Sequence, residues 1–365
     1  MELFVKEEVN TSRQYYMDLT KVFAIIFMVF IHTLVVASVN LSSGIGYVFD
    51  SILGAQFAAP VFMFCMGAGI AYSRKNDTKS LIKRGIYIFI LGFVLNILRA
   101  IPDLVLYFIT KSMDYLQSEV IGDLIGLDIL QFAGLALILF ALLKKSKSMA
   151  LMIGVPLILS LLGSYFRMID TGNTALNTVL GLFIGTKCEM VIARFPLFNW
   201  FIFVVAGYLF AIVIRRCTNL TKFYIYALTI SFVIVMTYMT LNIPAGIGMY
   251  NENELYFYHM GITDAFISIM SAILLISVCY FITKLLPKGV INVIKNVSTN
   301  VNIIYFVQWI VIIWVVAVFI HAISKTKLSI NSALLIGAAI TVVSIALGCL
   351  IGNLIKKLKQ RKTTK

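Results

Sequence analysis

The residues best suited to chemistry in this chain lie in one stretch, Asp18 to His32, reading DLTKVFAIIFMVFIH. It is apolar for nearly the length of a membrane span, yet it opens with Asp18 and Lys21 and carries His32 deep inside. Ionisable groups in hydrocarbon are costly and rare, and an intramembrane histidine points to function by default. A helix turns ~100° and rises ~1.5 Å per residue, so Lys21 and His32 fall within ~20° of one face and ~16 Å apart. Asp18 lies within ~40° of that face and ~21 Å from His32. A neutral imidazole in a dry site can take a proton from an attacking hydroxyl or amine. The competing structural reading is a histidine bonded to a neighbouring helix. Asp18 and Lys21 also have a structural reading, as a residue complementing the helix dipole and a snorkelling cation.

The elements that position these residues follow from composition. The 365 residues are 61% hydrophobic and 13% charged, and mean hydropathy is +0.97. A soluble domain is about half apolar and a quarter charged. The expected fold is all-α: a polytopic integral membrane protein of about ten transmembrane helices, at 19–39, 54–73, 82–101, 124–143, 149–166, 196–215, 223–242, 263–286, 301–323 and 332–355. They form one integral domain over 1–365, with short tails at 1–17 and 356–365. Most of the 30 Lys and Arg fall in the tails and alternate loops, which places both termini in the cytoplasm. The formal charge of +14 is then an orienting and lipid-facing charge, and nucleic acid is not an expected partner. The acidic, polar start (Glu2, Glu7, Glu8) predicts no cleaved leader. The segment 167–195 suits an interfacial helix or lid.

This topology puts Asp18 and Lys21 at the inner face and His32 about two-thirds of the way across. The inner loop after the second span carries Arg74, Lys75, Lys79, Lys83 and Arg84, either topological anchors or a phosphate-binding rim. Arg84 stands out because it begins a span. Other polar residues in apolar surroundings are Gln56, Asn96, Arg99, Asp128, Gln131, Gln308 and His321, each suited to joining helices. Asp264, beside His259 in sequence, and His321 lie towards the outer face, where an extracytoplasmic substrate would arrive. Five cysteines show neither a disulfide framework nor metal-ligand spacing, and no metal is expected. No Walker loop, HExxH or GxSxG occurs. The glycines of CMGAGIAYS (Gly67, Gly69) read as helix-packing positions rather than a dinucleotide loop.

Four stretches, taken in order, resemble the transmembrane acyltransferase superfamily, which includes the acyltransferase-3 family and heparan-α-glucosaminide N-acetyltransferase-like proteins. MDLTKVFAIIFMVFIH resembles the family's Asp-x-x-Arg with a following His, and FAAPVFMFCMGAGIAYSRK with LIKRGIYIFILGF resembles its second and third spans. LDILQFAGLALIL and FPLFNWFIFVVAGYLFA resemble spans of the heparan-type branch, and NVSTNVNIIYFVQWIVI resembles a late span with a Ser/Asn-rich start. Lys21 stands where the family has arginine, which keeps charge but loses the bidentate fork. Gln308 stands where the family has a late histidine, and an amide is no base.

The resemblance implies transfer of an acyl group, probably acetyl, from cytoplasmic acetyl-CoA to an extracytoplasmic glycan or glycolipid. His32 would act as base or transient acyl carrier, with Asp18 and Lys21 as further catalytic residues at the cytoplasmic end of the same span. Lys21, Arg74, Lys83 and Arg84 would hold the donor, and Gln131, Gln308, Asp264 and His321 the acceptor. The expected location is the cell membrane, of a bacterial plasma-membrane kind, with the bilayer, the acyl-CoA donor and a carbohydrate acceptor as partners. Two other readings are a secondary transporter or flippase for a small solute or lipid-linked sugar, and a non-catalytic descendant of the acyltransferases. No paired half-sequences of the transporter kind are evident.

Overall fold

Apolar runs of about 20 residues in lipid must satisfy every backbone group internally, which leaves the helix as the open solution. The computed structural model describes residues 3–37, 39–41, 44–111, 120–187, 193–317 and 328–363. Its main helices are α1 (Tyr15–Val36), α2 (Ala59–Ala71), α3 (Thr78–Thr110), α4 (Ile129–Lys145), α5 (Met149–Tyr165), α6 (Leu197–Arg215), α7 (Leu220–Asn242), α8 (Ile262–Leu285), α9 (Lys288–Thr299), α10 (Val301–Val311) and α11 (Ile330–Thr363). Among the described residues there is no strand beyond isolated bridges, so the chain is all-α.

Ten spans were expected, whereas seven described helices are long and apolar enough to cross a membrane, or eight if the bent pair Lys288–Thr299 and Val301–Val315 counts as one. The predicted spans 124–143 and 149–166 become helices of 17 residues each. The first is shortened because Gly126 adopts an extended conformation and Asp128 caps a new helix start. The predicted span 301–323 holds α10 and a π-helical segment, Ile312–Ala317, and its remainder lies outside the described residues. In the segment 167–195, expected to form an interfacial helix or lid, the described residues include one short helix, Thr174–Gly181, capped by Asn173.

Two compact units emerge, one of Met1–Arg13 with Pro60–Ser277, the other of Gln14–Ala59 with Val278–Lys365. In the larger unit, α3 pairs closely with α4 where Gly85 and Gly134 face each other; a Cβ on Gly134 would lie 2.7 Å from the Gly85 carbonyl oxygen. Gly67 meets α6 in the same way, since its added Cβ would fall 1.8 Å from the Val204 oxygen. Helix packing, not ligand cradling, accounts for that glycine. The N-terminal tail is ordered onto the end of α6. Val5 N–H donates to Arg216 O at 3.0 Å, Val9 N–H to Arg215 O at 2.7 Å, and the Asn10 amide to Ile214 O and Cys217 O. Such bonds satisfy carbonyls that a helix C-terminus leaves open.

In the smaller unit α1 packs against α9, α10 and α11. Two π-helical segments, Val48–Gly54 and Ile312–Ala317, also pack on α1. Helix α9 is strongly amphipathic, with Ile294 and Val297 buried and Val290 and Val293 exposed. A bend of 71° separates it from α10. Gly352 lets α11 approach Asn300, whose Oδ1 would otherwise lie 2.3 Å from a Cβ.

Candidate active site

His32 sits in the last third of α1, and the smaller unit builds its surroundings from one turn of α10. Tyr305, Gln308 and Trp309 recur at i, i+3 and i+4, the spacing that puts three side chains on one helix face. The Gln308 carboxamide lies 3.2 Å from His32 Nδ1. The Trp309 indole stacks on the imidazole with ring centres 4.1 Å apart and planes 26° apart. Tyr305 stands edge-on to it at 6.3 Å, and its hydroxyl accepts the Trp309 indole N–H at 2.9 Å, which fixes the indole plane. Gln308, Trp309 and Tyr305 are buried, while His32 keeps partial exposure. A ring held at one nitrogen and stacked on an indole is fixed in orientation, as a proton-transferring group must be.

At the other end of α1, Asp18 is buried and its Oδ1 accepts the Ser298 hydroxyl of α9 at 2.6 Å. Lys21 is partly exposed on the same helix. Asn300 completes this end. Its Nδ2 donates to Asn296 O at 3.0 Å, and its Oδ1 accepts the Lys356 ammonium at 3.0 Å. The Ser/Asn-rich stretch before α10 therefore works as a set of hydrogen bonds within the unit. Ser298 as the partner of Asp18 escaped the sequence reading, although its place in NVSTN was visible. Gln308 was expected to bind the acceptor, and its contact here is with His32.

The remaining expected residues belong to the larger unit. Arg74, Lys83 and Arg84 are exposed. Lys83 and Arg84 lie on α3, which is capped by Asp77, whose carboxylate accepts Ser80 N–H at 3.0 Å. Hydrogen bonds from the Ser80 hydroxyl and then its backbone N–H hold Asp77 below the usual carboxylate range. Nearby, the Lys144 ammonium donates to Asn76 O at 2.6 Å, tying the basic loop to the end of α4. Gln131 Oε1 accepts Asp128 N–H at 3.2 Å in a capping box that starts α4, and its Nε2 is buried with no hydrogen bond among the described residues. Asp128 also takes Arg99 at 3.0 Å, with Asp123 at 3.5 Å from the same guanidinium. Asn96 donates to Gly126 O at 2.7 Å. Four polar groups read separately along two predicted spans thus form one network joining α3 to α4.

Asp264 bonds the Tyr238 hydroxyl and accepts Gly261 N–H at 3.3 Å, so it anchors the start of α8. His259, its neighbour in sequence, is fully buried and meets Ala193 O through Nε2 at 2.8 Å. Burial pushes the His259 imidazole below its ordinary value, and the Arg167 charge adds to that. His321 lies outside the described residues.

Comparison with known proteins adds the family. No curated protein matches the chain. The profile of the acyltransferase-3 family, described as an acyltransferase domain, matches residues 14–352. That match runs from just before α1 into α11 and takes in both units. With its helices, its His32-bearing first span and this match over nearly its whole length, the chain belongs to the acyltransferase-3 family, and it is a multi-pass membrane protein.

Proposed function

We propose that the protein transfers an acyl group, acetyl in the simplest case, from an acyl-CoA thioester to a hydroxyl or amine of an extracytoplasmic glycan or glycolipid, with His32 as base. The observation that carries this is the His32 ring clasped at Nδ1 by Gln308 and stacked on Trp309 while keeping partial exposure. The acceptor oxygen or nitrogen attacks the thioester carbonyl carbon as His32 takes its proton. The new C–O or C–N bond forms, the C–S bond breaks, and the imidazolium returns the proton to the leaving thiolate to give free CoA thiol. A route through an acyl-histidine is the variant in which His32 first attacks the thioester itself.

Asp18 and Lys21 are proposed to act at the cytoplasmic end of α1. The donor's phosphates are proposed to meet Arg74, Lys83 and Arg84, on the grounds of charge and exposure. The charge distribution supports cytoplasmic termini, and a bacterial plasma-membrane location is proposed with it. The test is release of CoA thiol from acetyl-CoA by purified protein in nanodiscs given a cell-envelope glycolipid extract. Wild-type protein releases thiol and labels the extract, and His32→Ala does neither while remaining folded. Full turnover in His32→Ala refutes the assignment of the base. Solute flux into proteoliposomes without acyl donor would replace the transferase reading with a transporter.

A further inference from the structure

We infer that Gln308 is a positioning residue for His32: its amide oxygen holds the Nδ1 proton, which leaves the lone pair on Nε2 as the base. The inference rests on the proposed role of His32 and names a partner for it.

A carboxamide offers a donor or an acceptor at the same place by turning 180° about its last bond. As placed, Gln308 Nε2 lies 3.2 Å from Nδ1, and its Oε1 is buried with no partner among the described residues. Turning the amide hands Oε1 to Nδ1 and moves the unpaired position to the NH2 group, so burial does not choose between the two orientations. The chemistry does. An amide nitrogen at Nδ1 is donor only, so it requires the ring proton on Nε2 and removes the lone pair that Nε2 needs to act as base. An amide oxygen requires the proton on Nδ1 and leaves Nε2 basic.

The preference grows during reaction. Once His32 takes the acceptor's proton, both ring nitrogens carry hydrogen. An NH2 group then faces an N–H with no lone pair between them. An oxygen instead makes a charge-assisted bond to the imidazolium, of the kind roughly twice as strong as a neutral one. Gln308 is held for this role by burial on α10, one residue before the indole that fixes the ring plane.

The tautomer can be read without turnover. In 15N-histidine spectra of the protein in nanodiscs, His32 is assigned by the signals that vanish in His32→Ala. The expected result at neutral pH is a protonated Nδ1 and a pyridine-type Nε2 in wild-type protein, shifting towards the opposite tautomer in Gln308→Leu. A wild-type His32 with its proton on Nε2 overturns the inference, whatever the activity. In the thiol-release assay Gln308→Leu lowers kcat between about 10- and 10⁴-fold with KM for acetyl-CoA unmoved, the upper figure being the cost of a wrong histidine tautomer in a serine-protease triad. Gln308→Glu, which keeps an acceptor, stays within about tenfold of wild type. Wild-type kcat and an unmoved tautomer in Gln308→Leu also overturn it. Loss of the base reading looks different: His32→Ala then turns over normally while the tautomer result stands by itself.

Discussion

His32 and His259 are both imidazoles in an apolar protein, and their surroundings differ in kind. His259 is fully buried, its Nε2 is spent on the Ala193 carbonyl, and Gly185 presses on the ring so closely that a Cβ there would lie 2.5 Å from Cγ. Around it, Asn199 donates to Met260 O at 3.0 Å and Trp200 to Tyr258 O at 2.7 Å. Every one of these partners is a backbone carbonyl, so the cluster pins loops to the start of α6. The His32 contacts described above are with side chains, an amide, an indole and a phenol from one turn of α10. Backbone partners fix a shape, whereas side-chain partners can change their donor and acceptor roles as a proton moves. Burial of a histidine is therefore weak evidence of function, and the type of its partner is stronger.

Substituting the two rings tests that distinction most severely. His32→Ala is expected to lower transfer by about 10²- to 10⁴-fold, the range of a lost general base, with little change in thermal stability. His259→Ala is expected to do the reverse, lowering the unfolding free energy by about 2–4 kcal/mol through a cavity and an unsatisfied Ala193 carbonyl. Its turnover per folded molecule should equal wild type. If His259→Ala lost activity at unchanged stability, the contrast would collapse.

A smaller effect comes from Gly185→Ala, which overpacks the His259 ring and should cost about 1–3 kcal/mol without touching KM. Chemical or thermal unfolding in detergent would show it, and a neutral outcome would mean that the loop moves aside freely.

The pH dependence sharpens the contrast further. His259 has a folded-state value below its ordinary one, so just below the unfolded value of about 6.5 the unfolded chain binds the proton and the folded one does not. Stability from this group is full above that pH and is lost as pH falls, by at most about 1.4 kcal/mol per pH unit. The melting temperature of wild-type protein should drop between about pH 6.5 and 5, and less so for His259→Ala. Identical slopes would show that other groups set the acid limb.

The least effect is expected at the far end of α1. Ser298→Ala removes the hydroxyl that Asp18 accepts and should cost about 0.5–1.5 kcal/mol. Thermal unfolding of this variant beside Ser298→Thr, which keeps a hydroxyl, would show whether that bond matters.

The helical membrane architecture was legible in the chain, because hydropathy is a local signal. The number of spans was not. Hydropathy averaged over 124–143 does not register that Gly126 breaks the backbone and that Asp128 with Gln131 begins a helix, although Asp-x-x-Gln is a capping pattern readable three residues apart. Helix α9 was also missed, and its signal was present: Val290, Ile291, Ile294 and Val297 recur at helical spacing. Partnerships were the least legible. Arg99 with Asp128, Asp18 with Ser298 and His32 with Gln308 are 29, 280 and 276 residues apart in sequence, and only folding sets which polar group meets which.

The two π-helical segments that pack on α1, Val48–Gly54 and Ile312–Ala317, have a bearing on how such a site changes over evolutionary time. A π turn houses one residue more than the α-helix it interrupts, and each residue turns a helix by ~100°. Loss of a single residue from Ile312–Ala317 would relax it to ordinary helix. Gln308 and Trp309 would stay where they are, and every side chain beyond would rotate by about a quarter turn. The contacts of Gln308 and Trp309 with His32 and the register of the residues that follow them can therefore be inherited separately.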